Sequence, residues 1–286
     1  MIRTILCPID FTPVSERELE LAVRLAHRFD AEIIVQHNVT RGAGLGVSWM
    51  HQKEHHAEDE ARDGQAQERL SAIVARLDTM VNTKAGGVVT YGALDHCVQE
   101  LARQTSADLI VIGTHDRASA DHPSETERLI TSAPCPVLTT HDDAPERWLP
   151  DVGAATAKDP IHTLVPMDFS AHSVAALRYA LDLLDALPLE ITALHVARSE
   201  EHDQEWVEAE LAKAVPAERT SSVRIEVRRG APVDRILLEE SMLEAHLAIM
   251  GAHAKGFVER LLARGASTAR EVLHRSSCPV WFVPAG

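Results

Sequence analysis

No stretch of this sequence concentrates lysine and arginine, which excludes the clustered basic surface that a protein gripping a phosphate backbone needs. The net charge is −15 over 286 residues and both halves are acidic, so nucleic acid is not an expected partner. Cys-x-x-Cys pairs are also lacking. The four cysteines, Cys7, Cys97, Cys135 and Cys278, are expected as reduced thiols, three of them in or beside buried strands. Long apolar runs are missing at the start: MIRTILCPID reaches a proline and an aspartate after a few residues, so neither a signal peptide nor a spanning helix is expected. The expected setting is cytoplasmic, with no membrane partner. Neither a Walker loop, a Ser-Gly-Gly-x-Asp-Ser loop nor a His-x-Gly-His occurs, which argues against a nucleotide hydrolase or adenylyl transferase.

What is present is present twice. CPIDFTPVS (7–15) returns as VPMDFSAHS (165–173), and at this offset of 158 Asp10 matches Asp168, Ser15 Ser173, Leu19 Leu177 and His37 His195. GALDHCVQELARQTSADLIVIGTH (92–115) matches GAPVDRILLEESMLEAHLAIMGAH (230–253) at an offset of 138, so the first copy is about 20 residues longer. SAPCPVLTT and SSCPVWFVP close the two copies. Short apolar runs without polar alternation (TILCPI, EIIVQHNV, LIVIGT) are separated by segments with helical spacing, as in Leu19, Ala22, Val23 and Ala26. Strands of that kind are buried on both faces, which implies parallel sheets covered by helices. The fold class is α/β, two tandem open doubly wound five-stranded parallel-sheet domains, each β-α-β-α-β-α-β-α-β. Their expected bounds are 1–141 and 161–286, with a linker at 142–160 and an insert at about 41–63.

Ligands of such sheets sit beyond the carboxyl ends of the strands, where strand order reverses. Asp10 and Asp168 end the first strands, placed either to contact a ligand or to hold backbone N–H groups of the following turn. Gly113 and Gly251 end the fourth strands, as turn glycines or to admit a ligand's close approach. His37, His195, His115 and His253 have no partner at nucleophile or base spacing, so they read as structural hydrogen-bonders and no catalytic residue is expected. In HQKEHHAEDE, His51 and His55 share a helical face, but a third ligand is wanting; a solvated charged helix is expected, and no metal.

VPMDFSAHSVAAL, the strand-final LHV, GAP opening a helix, IMGAH and the terminal SCPVWFV, in the same order in both copies, resemble the universal stress protein family. The resemblance implies an open five-stranded α/β sheet, a stress-response role without catalysis, unidentified protein partners and, in some members, ATP. ATP-binding members carry a Gly-x2-Gly-x9-Gly-Ser/Thr cradle after the fourth strand, whose backbone N–H groups approach phosphates. Carried over to the second copy, the cofactor-binding residues are Pro166, Met167, Asp168, Val196, Met250, Gly251, His253, Ala254, Gly265 and Ser267. Ala254 replaces a glycine there, and Lys255, Arg260 and Arg264 add positive charge. In the first copy, Asp116 and Pro123 stand at the second and third glycines and Asn38 stands where the second has Val196, so that cradle reads as disabled. ATP or a related nucleotide is thus expected in the second domain only, with a weakened hold. The alternatives are an interaction module with vacant pockets and a slow ATP-hydrolysing enzyme. Family members commonly dimerise through the last strand, so CPVLTT and CPVWFVP are expected to meet in an intramolecular pseudo-dimer, with homodimerisation of the chain a further expectation.

Overall fold

The computed structural model describes residues 2–39, 52–80, 84–114, 124–140, 149, 160–197, 203–252 and 268–284. The chain divides into two compact units, Ile2–Val111 and Ile112–Gly286, with Met1 grouped in the second. Among the described residues, no helix is long and apolar enough to cross a membrane.

In the unit Ile2–Val111, β1 (Thr4–Ile9), β2 (Glu32–Val39), β3 (Ala85–Tyr91) and the first residues of β4 (Leu109–Gly113) alternate with α1 (Pro13–Phe29), α2 (Gln52–Met80) and α3 (Leu94–Gln104). The strands are parallel and ordered β3-β2-β1-β4. Every residue of β1 is buried, as its lack of polar alternation requires. α1 starts where Thr12 accepts a hydrogen bond from the Ser15 backbone and Pro13 supplies a preset φ. α2 is 29 residues long against 11 in its second-copy counterpart, so most of the first copy's excess is extra helix rather than loop. Gly87 on β3 lets α2 lie close, because a Cβ there would stand 3.0 Å from Leu70 and Val74.

In the unit Ile112–Gly286, the end of β4 leads into α4 (Glu125–Ser132) and β5 (Val137–Thr140). Then follow β6 (Ile161–Met167), α5 (Ala171–Leu183), β7 (Leu189–Ala197), α6 (Gln204–Ala214), a short 3-10 turn (Ala217–Ser222) and β8 (Val223–Arg229). α7 (Pro232–Met242), β9 (Leu247–Ala252), α8 (Thr268–Arg275) and β10 (Val280–Pro284) complete it. The strand order is β5-β10-β9-β6-β7-β8, parallel except that β10 meets β5 antiparallel. The core is dominated by Trp281, Phe282, Leu129, Leu138 and Leu164. Residues 125–140 thus belong by sequence repeat to the first copy and by packing to this second unit, because β5 hydrogen-bonds to β10. The packing boundary therefore falls earlier than the sequence boundary at 141.

The GA dipeptide that opens α3 and α7 has a local cause. Gly92 and Gly230 adopt φ of 129° and 135°, which side chains rarely tolerate.

The two copies fasten the start of the first and fourth strands with different chemistry. In the first unit, Asp108 Oδ2 accepts from the backbone N–H of Arg3 (2.8 Å) and Thr4 (3.1 Å). At the matching place in the second unit, His246 Nδ1 accepts from the His162 N–H at 3.1 Å, which requires that nitrogen to be unprotonated. Burial first, then the charge of His162, lower the His246 pKa against an upward pull from Glu244. The folded state therefore prefers the neutral ring. This contribution is complete above the unfolded imidazole's pKa of about 6.5 and is lost as pH falls from there towards the lower folded value, since the unfolded chain takes the proton first. A carboxylate accepts while charged, so His246→Asp should flatten this part of the pH dependence. Urea midpoints of both proteins at about pH 7.5 and 5.5 test it.

Candidate functional site

The site is built by strand parity. The His246 N–H donates to the His162 carbonyl, so residues 162, 164 and 166 of β6 face β9, while 161, 163 and 165 face β7. The next ladder donor towards β9 would be residue 166, and it is a proline with no N–H. Pairing between β6 and β9 stops at Leu164↔Ala248, although β6 continues to Met167 beside β7 and β9 to Ala252 beside β10. β6 and β9 thus part at the topological switch point, at the carboxyl ends of the strands. Pro8 occupies the same parity in β1, whose pairing with β4 covers Ile5↔Leu109 and Leu6↔Ile110.

Around these parted strand ends, Pro166 is half-buried, Met167 and Met250 are buried, Asp168 is exposed, and Val196 and Gly251 are half-buried. Gly251 is where the first turn of α5 lies against β9. A Cβ there would stand 2.5 Å from the carbonyl carbon and oxygen of His172. The close approach seen at this glycine is that of the chain's own backbone.

Asp168 Oδ1 accepts the Ser170 N–H at 3.0 Å, and Asp10 Oδ1 accepts the Thr12 N–H at 2.9 Å and its hydroxyl at 2.6 Å. Each carboxylate closes a turn around a phenylalanine in the left-handed region, Phe11 at φ 63° and Phe169 at φ 58°. That conformation costs an ordinary residue about 1–2 kcal/mol, which the aspartate bond helps to offset. Of the two roles foreseen for these aspartates, the structure displays the turn.

His195 Nδ1 donates to the Met167 carbonyl at 2.8 Å, and His37 Nδ1 to the Ile9 carbonyl at 2.9 Å. These bonds tie the second strand's end to the first's in each copy. His195 is buried among Phe169 and Trp206, with ring centroids 5.4 and 5.6 Å away. In the first copy Phe11 packs on His37 at 4.2 Å and carries the Arg69 guanidinium over its ring. Sequence reasoning passed over these phenylalanines, although the DF dipeptide in both copies was a signal for them.

Asn38, which replaces Val196, donates to the Gly92 carbonyl (2.9 Å) and accepts from Thr90 Oγ1 (3.0 Å). Its amide is bound to neighbouring backbone and β3. Opposite Val196 stands Arg228, whose guanidinium is engaged by Glu239 (2.5 Å) and Glu226 (2.7 Å). His253, Ala254, Gly265 and Ser267 lie outside the described residues, as do His115, Asp116, Pro123, Lys255, Arg260 and Arg264. His51 of the histidine-rich insert lies outside them too, and the His55 side chain is not described. Among the described residues, no group of three side chains is placed to hold a metal ion.

Residues 1–141 and 162–284 each match the universal stress protein family. The chain belongs to the universal stress protein family. Among solved structures, a universal stress protein from Archaeoglobus fulgidus is 21% identical, with 99% of this chain and 96% of that one covered and a TM-score of 0.75. A universal stress protein of Pseudomonas aeruginosa is 16% identical over 99% of this chain and 93% of that one, at a TM-score of 0.62. A universal stress protein in complex with cAMP is 19% identical over 49% of this chain and 97% of that one, at a TM-score of 0.38. No curated protein matches the sequence. As a universal stress protein with two family segments in one chain, the molecule carries two switch-point corners built on one plan, with the polar Asn38 in one at the position that the apolar Val196 holds in the other.

Proposed function

We propose that this universal stress protein acts in the cytoplasm without catalysis, binding ATP or a related nucleotide weakly in its second copy and working through association with partner proteins. The observation that carries the reading is the parting of β6 and β9 at their carboxyl ends, where pairing stops at Leu164↔Ala248. The half-buried Pro166 and Val196 offer apolar surface there for a base, and a carboxylate with two accepting oxygens, Asp168, stands at the strand tip. His195, the imidazole beside that tip, is held by a backbone carbonyl in an aromatic packet, which suits a structural role. All four cysteines are thiols and Cys7, Cys135 and Cys278 are buried, which fits a reducing compartment. The two copies mate within the chain through β5 and β10.

The test is calorimetry of the full chain with magnesium ATP. One weak site is expected; Asp168→Ala should abolish it, and Asp10→Ala should leave it unchanged. Ala254→Gly should tighten it about tenfold, the equivalent of about 1–2 kcal/mol, if residue 254 needs a left-handed backbone at the phosphates. Two equal sites, or loss on Asp10→Ala alone, overturn the asymmetry. ATP turnover that disappears in Asp168→Ala would make the protein an enzyme. One observation favours a module with vacant pockets instead: the α5 backbone already lies against Gly251. Absence of heat with any nucleotide would establish that reading.

A further inference from the structure

The segments 125–140 and 268–283 correspond one to one at an offset of 143. In the antiparallel pair, Leu138 stands opposite Trp281, its own counterpart, and Val137↔Phe282 and Thr139↔Val280 flank it as mirror pairs. A local two-fold axis therefore passes between Leu138 and Trp281. On the helices above, Glu127 and Arg270 are also counterparts, and they bond to each other, Nε to Oε1 at 2.9 Å. His274 adds Nε2 to the same oxygen at 2.5 Å. Glu127 is fully buried, and Arg270 and His274 are largely so. Burial alone would raise the Glu127 pKa, but the hydrogen bonds and charges of His274 and Arg270 outweigh it and hold the carboxyl below its usual range.

A two-fold axis brings each residue against its own counterpart, so two like edges would place Glu127 against Glu127, or Arg270 against Arg270, in a buried site. They would also set Leu138 on Leu138, leaving a void, or Trp281 on Trp281, overfilling it. We infer that the α4–β5 edge and the α8–β10 edge form a complementary interaction surface whose partner is the other edge and never its own kind. Attraction and rejection both come from the same two positions, one of charge and one of size. The inference rests on the pairing of β5 with β10, independently of any nucleotide. It also means that a homodimer of this chain must use a different surface.

Full-length Glu127→Arg, Arg270→Glu and the exchange Glu127→Arg/Arg270→Glu decide it by urea unfolding and light scattering. Each single change breaks a buried charge pair and should lower the folding equilibrium constant about 100-fold or more. The exchange should stand at least tenfold above the product of the two single effects. Mixing the chain with two acidic edges, Arg270→Glu, and the chain with two basic edges, Glu127→Arg, should give one-to-one heterodimers. Additive losses in the exchange, an exchanged chain that fails to fold, or a homodimer of either single variant would overturn the inference.

Discussion

Gly251→Ala should be severely destabilising. The new Cβ would lie 2.5 Å from the His172 carbonyl group and 2.7 Å from its Cβ, and the carbonyl belongs to the backbone of a helix that cannot swing aside as a side chain does. Either α5 shifts away from β9 or the strand end is pushed out. The cost is about 3 kcal/mol or more, at the upper end for overpacking, and a fall in melting temperature of roughly 6–12 °C follows for a transition of this size. Gly64→Ala is the control. Gly64 lies exposed within α2 with nothing within 4 Å of an added Cβ, so the change should stabilise by up to about 1 kcal/mol through helix propensity. Comparable losses at both positions would mean that the contact with His172 does not set the requirement. Nucleotide titration of the Gly251→Ala chain has a second use, since a change in affinity without a change in melting temperature would return the glycine to a ligand role.

Glu240→Ala should cost as much for a different reason. This carboxylate is 1% exposed, and its Oε1 accepts from the Ser277 N–H (2.5 Å), the Cys278 N–H (3.0 Å) and the hydroxyls of Ser276 and Ser277 (both 2.9 Å). It thereby holds the turn between α8 and β10. Alanine would take the carboxylate from the half-buried Ser277 N–H and leave the Cys278 N–H only its longer bond to Ser276 Oγ (3.3 Å), a loss of about 3 kcal/mol. The first copy solves the same turn without an acid: Ala102 stands in place of Glu240, Ala133 in place of Ser276, and Pro134, which has no N–H, in place of Ser277. Transplanting that solution as Glu240→Ala/Ser276→Ala/Ser277→Pro should therefore recover at least half of what Glu240→Ala loses, measured by urea unfolding. A triple variant no more stable than the single one would refute the equivalence of the two turns. Burial, and secondly the charge of Glu240, push the Cys278 thiol far up, so it is inert as a nucleophile at neutral pH.

The repeat made the architecture readable: two gap-free offsets and unalternating apolar runs are enough to imply parallel sheets, and the order of β8-β7-β6-β9-β10 is that of a doubly wound unit. The strand ends were legible as landmarks, but their duties were not. Whether Pro166 faces β7 or β9 depends on hydrogen-bond parity, which only the register reveals. Gly251 was a candidate for ligand approach because a sequence cannot show which backbone comes near. Glu127 and Glu240 look like ordinary helix-surface acids, since helical periodicity marks a covered face only when the residues on it are apolar. Their burial comes from a second element laid over them, α8 on Glu127 and the α8–β10 turn on Glu240. Asn38 was read as weakening an apolar slot; its bonds to Gly92 and Thr90 give it a structural duty in addition.

The pairing of β5 with β10 also has a meaning in time. The bond from Thr139 Oγ1 to the Val280 carbonyl spans 141 residues of sequence. At roughly 5–20 residues per second, a ribosome that has just made Val137–Thr140 needs about 7–30 seconds more to make its partner. If the first copy folds during that interval, its edge strand has no β10 to pair with, in a polysome that carries other nascent chains of the same sequence. β5 is only four residues long, which limits what the bare edge can capture. Glu127 sits above it, awaiting a cation that no neighbouring first copy carries at that position, so the charge that later secures the finished molecule also guards it against its siblings during synthesis.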